Sequence, residues 1–226
     1  MTKKLLFSFV ILYFSCLTYG QAVLAPASVC DLRERKTAIQ ICHTAYEAYI
    51  DTLTNLPLYV SHAINKENIE AGNITRKRPY RYTKDSLYAK LNTNAFAGTG
   101  YDHGHIAPAR DFKWDSLAWE ESFLMTNISP QHACLNQKAW CFLESLSRHW
   151  SQESDSTIIY IISGIIPDNY KDTLFINENL QVSVPDEFYK LILAYNLFTK
   201  EAKGIAFVIK NSNVKDEEIF NLITTI

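Results

Sequence analysis

The sequence has few of the residues that interrupt a folded chain. Its 226 residues include only 7 glycines and 7 prolines, and it contains no internal repeat or low-complexity tract. These absences argue against a disordered or repeat protein. The 47% of hydrophobic and 20% of charged residues are typical of a globular chain with an ample core. We expect a single domain over residues 21–226.

The hydrophobic run near the N-terminus is too short for a membrane-spanning helix. Leu5–Leu17 is uncharged and mostly apolar, but a membrane helix needs roughly 20 such residues. Because Lys3 and Lys4 precede the run, residues 1–20 are predicted to be a secretory signal peptide, cleaved before Gln21. A mitochondrial presequence is the rival interpretation, but such segments are Arg-rich and amphipathic. The expected location is therefore secreted or periplasmic.

The chain has no excess of positive charge. Its formal net charge is −2, and removing residues 1–20 would remove two lysines and no acid, giving −4. Bulk attraction to phosphate is therefore excluded as a basis for binding nucleic acid. The stretch from Asn73 to Lys84 nevertheless carries five cations and no acid, with tyrosines between them. It indicates either a local nucleic-acid contact or an ordinary solvated surface.

Cysteines are few but even in number once the predicted signal peptide is removed. Cys30, Cys42, Cys134 and Cys141 remain, so an exported chain is expected to form two disulfides between sequence neighbours. A Cys134–Cys141 bridge would brace the turn around Asn136. Two buried free thiols are the alternative for that pair.

Strand and helix patterns are intermixed, which predicts an α+β fold. Four β-branched and aromatic runs are predicted to be strands: Leu58–His62, Thr157–Ser163, Tyr189–Tyr195 and Gly204–Lys210. The clearest helix is predicted between Asn136 and Trp150. Apolar residues recur there at helical spacing and should face the core: Ala139, Phe142, Leu143, Leu146 and Trp150.

Polar residues occupy another face of this predicted helix. With Asn136 at zero and about 100° per residue, Glu144 falls near 80° and Arg148 near 120°. Glu144 and Arg148 are spaced i, i+4, so a surface ion pair is one interpretation and a functional face is the other. Trp140, near 40°, is expected to be an exposed aromatic or part of a site wall.

The segment from Gly98 to Phe112 carries the strongest functional pattern. Gly98, Gly100 and Gly104 let the backbone turn sharply beside His105, so a nucleic-acid strand could approach there. Two histidines flanking a glycine after an aspartate are harder to explain by core packing than a single histidine. This arrangement favours a functional site.

At these residues the chain resembles the DNA/RNA non-specific endonuclease family. The family's Asp-Arg-Gly-His element is matched by DHGHIAPARDF, its Asn-x-x-Pro-Gln element by TNISPQ, and its Asn-Trp-Glu helix by LNQKAWCFLESLSR. Weaker matches are LPLYVSH, VPDEFYKLIL and GIAFVIKN, so the resemblance extends from about residue 55 to 210. It implies a ββα-metal nuclease fold with a central antiparallel sheet flanked by helices.

The resemblance also implies roles for individual residues. His105 matches the general base, and Asn136 matches the single protein ligand of a hydrated Mg²⁺, with Mn²⁺ as a substitute. Glu144 matches the acid that orients waters around that ion. Asn127 and Asp102 match supporting positions near the His-bearing loop and the water shell of the metal.

Cations that contact phosphate are implied less uniquely. Arg148 matches one of them, and either Arg76 or Arg78 matches another. The family's Arg before the glycine is His103 here, a shorter donor that titrates, so activity is expected to be lower or shifted toward acidic pH. Arg110 is a candidate to compensate for the missing charge.

The implied reaction is hydrolysis of phosphodiester bonds in DNA and RNA. Mg²⁺ is a hard ion that keeps several waters, so one Asn oxygen is a sufficient protein ligand. An imidazole with an ordinary pKa of roughly 6.5 can accept a proton from the attacking water at mildly alkaline pH. The products are expected to carry 5′-phosphate and 3′-hydroxyl ends. A homodimer is a further expectation from the family.

Two other interpretations compete with this one. A zinc site drawn from His103, His105, His132 and Cys134 has suitable ligand types but matches no common zinc spacing. A catalytically impaired relative that only binds nucleic acid or a partner is suggested by His103 and the acidic net charge.

Overall fold

The computed structural model describes residues 37–75, 81–91, 93–166, 170–177, 180–213 and 223–225. The predicted signal peptide, Cys30, Arg76 and Arg78 lie outside these ranges. Among the described residues, no helix is both long enough and apolar enough to cross a membrane.

A seven-stranded antiparallel sheet forms the centre of the structure. The strands of this sheet are β1 Ala38–Cys42, β2 Tyr46–Asp51, β3 Leu56–Asn65, β6 Thr157–Ile165, β9 Glu187–Asn196, β10 Ala202–Lys210 and β11 Ile223–Thr225. They lie side by side in the order β1-β2-β3-β6-β9-β10-β11, and every neighbouring pair is antiparallel. The four predicted strands are confirmed and lie within β3, β6, β9 and β10.

Two short ribbons lie outside the main sheet. Strands β4 (Asp102–His105) and β5 (Ile128–Gln131) pair antiparallel, although more than twenty residues separate them along the chain. Strands β7 (Tyr170–Asn177) and β8 (Leu180–Pro185) form the second ribbon. The β4–β5 ribbon is the one that carries the DHGH and TNISPQ motifs.

Helices are few and mostly short. Helix α1 (Lys66–Ala71) begins after Asn65, whose side chain accepts a hydrogen bond from the Asn68 amide, and α2 (Ser116–Glu121) begins after a similar cap by Asp115. Single 3₁₀ turns cover Ala109–Phe112 and Met125–Asn127. The longest helix starts as a π-helical segment, Leu135–Trp140, and continues as α3, Cys141–Gln152. The predicted α+β class is confirmed.

The π-helical segment corrects two predictions about this helix. Trp140 was expected to be exposed or to line a site, but it is fully buried, and Phe142 was expected in the core, but it is 46% exposed. A π-helix closes i→i+5 hydrogen bonds, so each residue turns by less than the 100° assumed for an α-helix. The accumulated difference rotates Trp140 into the core.

Helix α3 covers one face of the central sheet, where it contacts β3 and β6. Side chains that alternate along these strands point toward it and form the core with the ribbon. Fully buried members of this core include Leu58, Ile64, Ile106, Trp140, Ile159 and Phe188. The helix, the β4–β5 ribbon and the sheet therefore share one hydrophobic core.

Candidate active site

His105 ends strand β4 and is placed by close pairing with β5. In the ribbon, Gly104 lies opposite Ser129 and His105 opposite Ile128. A Cβ atom on Gly104 would collide with the buried Gln131 side chain, so any other residue before the histidine would displace that side chain. The His105 ring is half-buried, with Phe123 edge-on at 5.2 Å between ring centroids. The ribbon thus fixes the position of the imidazole from both its backbone and its neighbours.

Trp140 connects the histidine strand to the helix. Its indole Nε1 donates a hydrogen bond of 2.9 Å to the backbone carbonyl of His105. Its ring also packs edge-on against Phe188 of β9, with 5.8 Å between centroids. Because Trp140 lies only four residues after Asn136, this contact brings His105 and Asn136 to the same end of the helix.

The side chain of Asn136 is held by Asp102, which also accepts a hydrogen bond from Gln137. Its Nδ2 donates to Asp102 Oδ2 at 2.9 Å, and the neighbouring Gln137 Nε2 donates to the same oxygen at 2.8 Å. This bond fixes the amide of Asn136 so that its Oδ1 is the atom presented to a ligand. Oxygen donors of this kind, an amide and a carboxylate, suit a hard cation such as Mg²⁺ or Mn²⁺. Asp102 therefore orients the predicted ligand.

Asn127 supports the loop that follows His105. Its Oδ1 accepts a hydrogen bond from the Ala107 amide at 2.9 Å, and its Nδ2 donates to the carbonyls of Ala107 and Ser122 at 2.8 and 2.9 Å. The side chain is fully buried. The polar atoms of Asn127 are therefore all bonded to backbone groups, and they tie the loop after His105 to the Ser122 carbonyl.

Glu144 lies on α3 beside a group of buried charges. It is half-buried, and among the described residues no hydrogen bond ties its carboxylate to a neighbour. Burial raises the pKa of Glu144 to about 7, although the positive charges of Lys190 and Arg148 oppose that shift. A carboxylate with this pKa changes its protonation state close to neutral pH.

Arg148 is buried, which corrects the expectation of a surface residue. It is 6% exposed, its Nη1 donates to Asp111 Oδ1 at 2.8 Å, and its Nη2 donates to Ser145 Oγ at 3.1 Å. The other carboxylate oxygen of Asp111 lies 3.0 Å from His62 Nε2. The surface ion pair with Glu144 does not form, and the guanidinium is committed to Asp111 rather than turned toward a phosphate.

His103, expected to act as a titrating donor in place of the family's arginine, lies among aromatic rings. Its ring stacks on Tyr82 at 4.5 Å between centroids and lies 5.1 Å from the ring of Phe96. Burial lowers the pKa of His103, against a smaller opposing contribution from a hydrogen bond with the Thr93 backbone. The imidazole is therefore held neutral among aromatic rings and does not reproduce the phosphate-binding fork of an arginine. Arg110, two residues past Pro108, is exposed.

The residues of the zinc alternative do not converge. His103 stacks on Tyr82, whereas His132 packs against Tyr101 and Cys134 donates to Asn213 Oδ1 at 3.0 Å. Across the described ranges there is no group of three or more His, Cys, Asp or Glu side chains arranged to hold a metal ion.

The expected Cys134–Cys141 disulfide is absent. Cys141 is a free, exposed thiol, and Cys134 makes the hydrogen bond to Asn213. Helical geometry carries the two cysteines, seven residues apart, to different parts of the helix. The Cys30–Cys42 pairing stays a prediction, because Cys30 lies outside the described residues.

Sequence reasoning missed three buried titratable residues near Glu144. These are Lys190 on β9, His62 on β3 and Asp111 in the 3₁₀ turn, each 1% exposed. A pattern could have identified Lys190, because alternation along β9 puts it on the same face as Phe188 and Ile192. His62 and Asp111 had no comparable pattern, since only the tertiary fold brings them together.

The arrangement defines the class of fold. A two-stranded antiparallel ribbon, whose first strand ends in a histidine, is followed by a helix that carries Asn136 in its first turn, and the unit lies beside a central antiparallel sheet. This is the ββα-metal nuclease fold, as expected. A solved structure of EndoG in complex with EndoGI superposes with a TM-score of 0.67 over 82% of this chain and 79% of that one, at 19% identity. That likeness concerns the fold.

Sequence comparison gives the family. Residues 32–225 match the DNA/RNA non-specific endonuclease family. Endonuclease G, mitochondrial, of Homo sapiens is 30% identical over 160 residues, covering 65% of this chain and 52% of the human protein. The mitochondrial nuclease of Saccharomyces cerevisiae is 26% identical over 208 residues, covering 85% of this chain and 60% of its own length. The chain belongs to the DNA/RNA non-specific endonuclease family.

Two consequences follow from these comparisons. The chain spans 52% and 60% of the length of these two relatives, so their full-length properties are not automatically its own. The secreted or periplasmic location expected from residues 1–20 is wrong, because several of the named relatives are mitochondrial nucleases. The pattern of a short basic start and an apolar run does not by itself distinguish export from other kinds of targeting.

Proposed function

We propose that this chain is a Mg²⁺-dependent endonuclease that hydrolyses phosphodiester bonds of DNA and RNA without base specificity. One observation supports the proposal most directly. The Trp140 indole bonds to the carbonyl of His105, while Asn136, one helical turn earlier, bonds to Asp102 of the same strand. A proton acceptor and an oxygen ligand for a cation are thereby held at one end of one ribbon–helix unit.

His105 is proposed as the general base. Its imidazole would accept a proton from the attacking water, and the ribbon and Trp140 fix its position for that transfer. Asn127 holds the following loop through three hydrogen bonds, so the base keeps its orientation. Attack of water at phosphorus with departure of the 3′ oxygen gives 5′-phosphate and 3′-hydroxyl ends.

Asn136 is proposed to hold the cation through Oδ1, with Asp102 orienting its amide. Glu144 would accept hydrogen bonds from waters of the cation's shell, which requires its ionised form. When bound, Mg²⁺ or a substituting Mn²⁺ supplies positive charge that stabilises the developing phosphorane and the leaving oxygen. Few protein ligands are needed, because such an ion keeps several waters.

Substrate contacts are proposed to be electrostatic and to the backbone, which explains action on both DNA and RNA. Among the described cations, Arg81, Lys84 and Arg110 are exposed and available for such contacts. Arg76 or Arg78 is proposed as a further phosphate contact.

A homodimer remains a prediction, which multi-angle light scattering would check.

A catalytically impaired, nucleic-acid-binding relative is the second candidate. The specific observation in its favour is His103, which is enclosed by Tyr82 and Phe96 where the family has an arginine. Binding would then persist through the exposed cations without efficient cleavage.

Arg110→Gln tests whether Arg110 supplies the charge that His103 lacks, and unchanged turnover in this variant would exclude that role for Arg110.

The deciding experiment is digestion of supercoiled plasmid and structured RNA with Mg²⁺ or with EDTA. We expect cleavage of both substrates in Mg²⁺ and none in EDTA, with loss of activity in His105→Ala and Asn136→Ala. His149→Ala is the matched control, because this exposed histidine lies on the same helix, away from the ribbon. Fragments should accept a kinase label only after phosphatase treatment. Retarded but intact substrate with the wild-type protein would instead support the binding-only candidate.

A further inference from the structure

Lys190 is a buried lysine that the proposed reaction does not yet use. It lies in the middle of β9, is 1% exposed, and shares a face of the strand with the apolar Phe188 and Ile192. Burying an ammonium costs several kcal/mol in general unless charge and hydrogen bonds compensate. An apolar residue would satisfy the packing alone, so the charge calls for a separate explanation.

The contacts of Lys190 lead directly to the proposed general base. Its Nζ donates to Ser163 Oγ on the neighbouring strand β6 at 2.7 Å and lies 4.2 Å from the centroid of the Trp140 ring. A cation over an indole face is attracted by the ring. The same indole donates to the His105 carbonyl. One side chain therefore separates the ammonium from the backbone of His105.

The charges around Lys190 balance in a specific way. Two cations, Lys190 and Arg148, face two carboxylates, Asp111 and Glu144, while burial lowers the pKa of His62 and keeps it neutral. Asp111 is already bonded to Arg148 and His62. Glu144 follows Trp140 by one helical turn, and Lys190 Nζ lies 4.2 Å from the centroid of that indole ring, so the ammonium lies beside the turn that carries Glu144. Among the charges near Glu144, that of Lys190 favours the ionised carboxylate most.

We propose that Lys190 is a positioning residue of this site: its ammonium fixes the indole that supports His105 and is the internal counter-charge of Glu144. This inference rests on the proposed function, because Glu144 and His105 are given their roles there. Substrate cannot reach a side chain that is 1% exposed, so Lys190 acts through these two neighbours.

Lys190→Met tests the inference, because methionine keeps the length of the side chain and removes the charge. Without Lys190, Glu144 becomes harder to ionise, and a shift of one pKa unit above 7 leaves roughly a tenth of the carboxylate ionised at pH 7. We expect kcat at pH 7 to fall about fivefold to tenfold and to recover toward pH 9, with KM changed by less than about threefold. Lys190→Arg should retain most of the activity at pH 7.

Ser163→Ala is the matched control, since it removes the hydrogen bond of Lys190 and leaves its charge. A merely structural lysine would lower the urea unfolding midpoint in both variants and leave the pH profile of kcat unchanged. Equal pH profiles for wild type and a folded Lys190→Met would overturn the inference.

A readout without cleavage separates this inference from the proposed function. The carboxyl carbon of Glu144, followed by ¹³C NMR in EDTA, should titrate at a higher pH in Lys190→Met than in wild type or Ser163→Ala. An unshifted midpoint overturns the inference even if the protein is a nuclease. If the Glu144 midpoint shifts but the protein cleaves neither DNA nor RNA, the coupling between Lys190 and Glu144 stands and the proposed function is rejected.

The wild-type protein alone provides the test if Lys190→Met does not fold. Coupled groups titrate in shared steps. The Glu144 carboxyl carbon and the Lys190 Cε should therefore both respond at the same two midpoints. Independent single titrations of the two carbons would overturn the inference.

Discussion

Replacing Asp111 by asparagine should destabilise the protein strongly while keeping the size of the side chain. Asp111 is 1% exposed and accepts hydrogen bonds from Arg148 at 2.8 Å and, on its other oxygen, from His62 at 3.0 Å. Asparagine leaves the buried Arg148 guanidinium without the carboxylate to which it is bonded. Breaking a buried ion pair in this way costs about 3–5 kcal/mol.

The expected effect is large enough for an unambiguous measurement. For a protein of this size, about 3–5 kcal/mol corresponds to a fall in melting temperature of roughly 6–20 °C. Urea unfolding followed by fluorescence and circular dichroism gives the free energy, provided that the dependence on urea is unchanged. The double variant Asp111→Asn/Arg148→Met should regain more than half of the lost free energy of unfolding, because it no longer buries an unpaired guanidinium.

The pH dependence provides an internal check on this reasoning. Burial raises the pKa of Asp111, but the hydrogen bonds from His62 and Arg148 and the charge of Arg148 outweigh it and lower the pKa overall. A lowered carboxyl pKa contributes stability above its unfolded value of about 3.9, and that stability is lost as the pH falls through the folded value. The difference in free energy of unfolding between wild type and Asp111→Asn should therefore become smaller in acid. A cost below about 1 kcal/mol at pH 7, or no recovery in the double variant, would refute the argument.

Three further predictions concern the ribbon and the helix. Asn127→Ala removes three buried hydrogen bonds, should cost about 3 kcal/mol in urea unfolding, and should lower kcat because the loop at Ala107 loosens. Gly104→Ala should abolish cleavage by colliding with Gln131, and adding Gln131→Gly should restore it; failure of that rescue would show that the collision is not the cause. Cleavage should rise with pH through about 7 as Glu144 ionises, and added Mg²⁺ should move the rise to lower pH, because a cation favours the carboxylate. A pH–rate profile at two Mg²⁺ concentrations measures this shift, and its absence would argue against Glu144 near the ion.

Local patterns in the chain identified much of the fold. The β-branched runs correctly marked β3, β6, β9 and β10. Every second residue of a strand points to the same face, so a buried face can be recognised within a few residues of sequence. The order of the DHGH, TNISPQ and LNQKAW motifs predicted the ribbon–helix unit and its family. These features depend on short-range spacing, which is written directly in the sequence.

The helix shows where local reasoning failed. The 100° rule put Trp140 outside the core and Phe142 inside it, and both placements were wrong. The π-helical segment Leu135–Trp140 changes the angle between residues, and the Trp140 bond to His105 accompanies that change. A partner 35 residues away along the chain therefore has a part in the geometry of the helix, and no window of local sequence contains it.

The sequence by itself determined the strands, the α+β class, the family and the residue types at the candidate site. Only the tertiary structure decided which charges are buried and what they contact. The sequence pattern puts Arg148 and Glu144 side by side on a helical surface, but Arg148 bonds to Asp111 instead, and the charge of Lys190 favours the ionised form of Glu144. The physical reason is that the cost of burying a charge depends on the positions of all its partners, and these come from β3, β9 and the 3₁₀ turn at once.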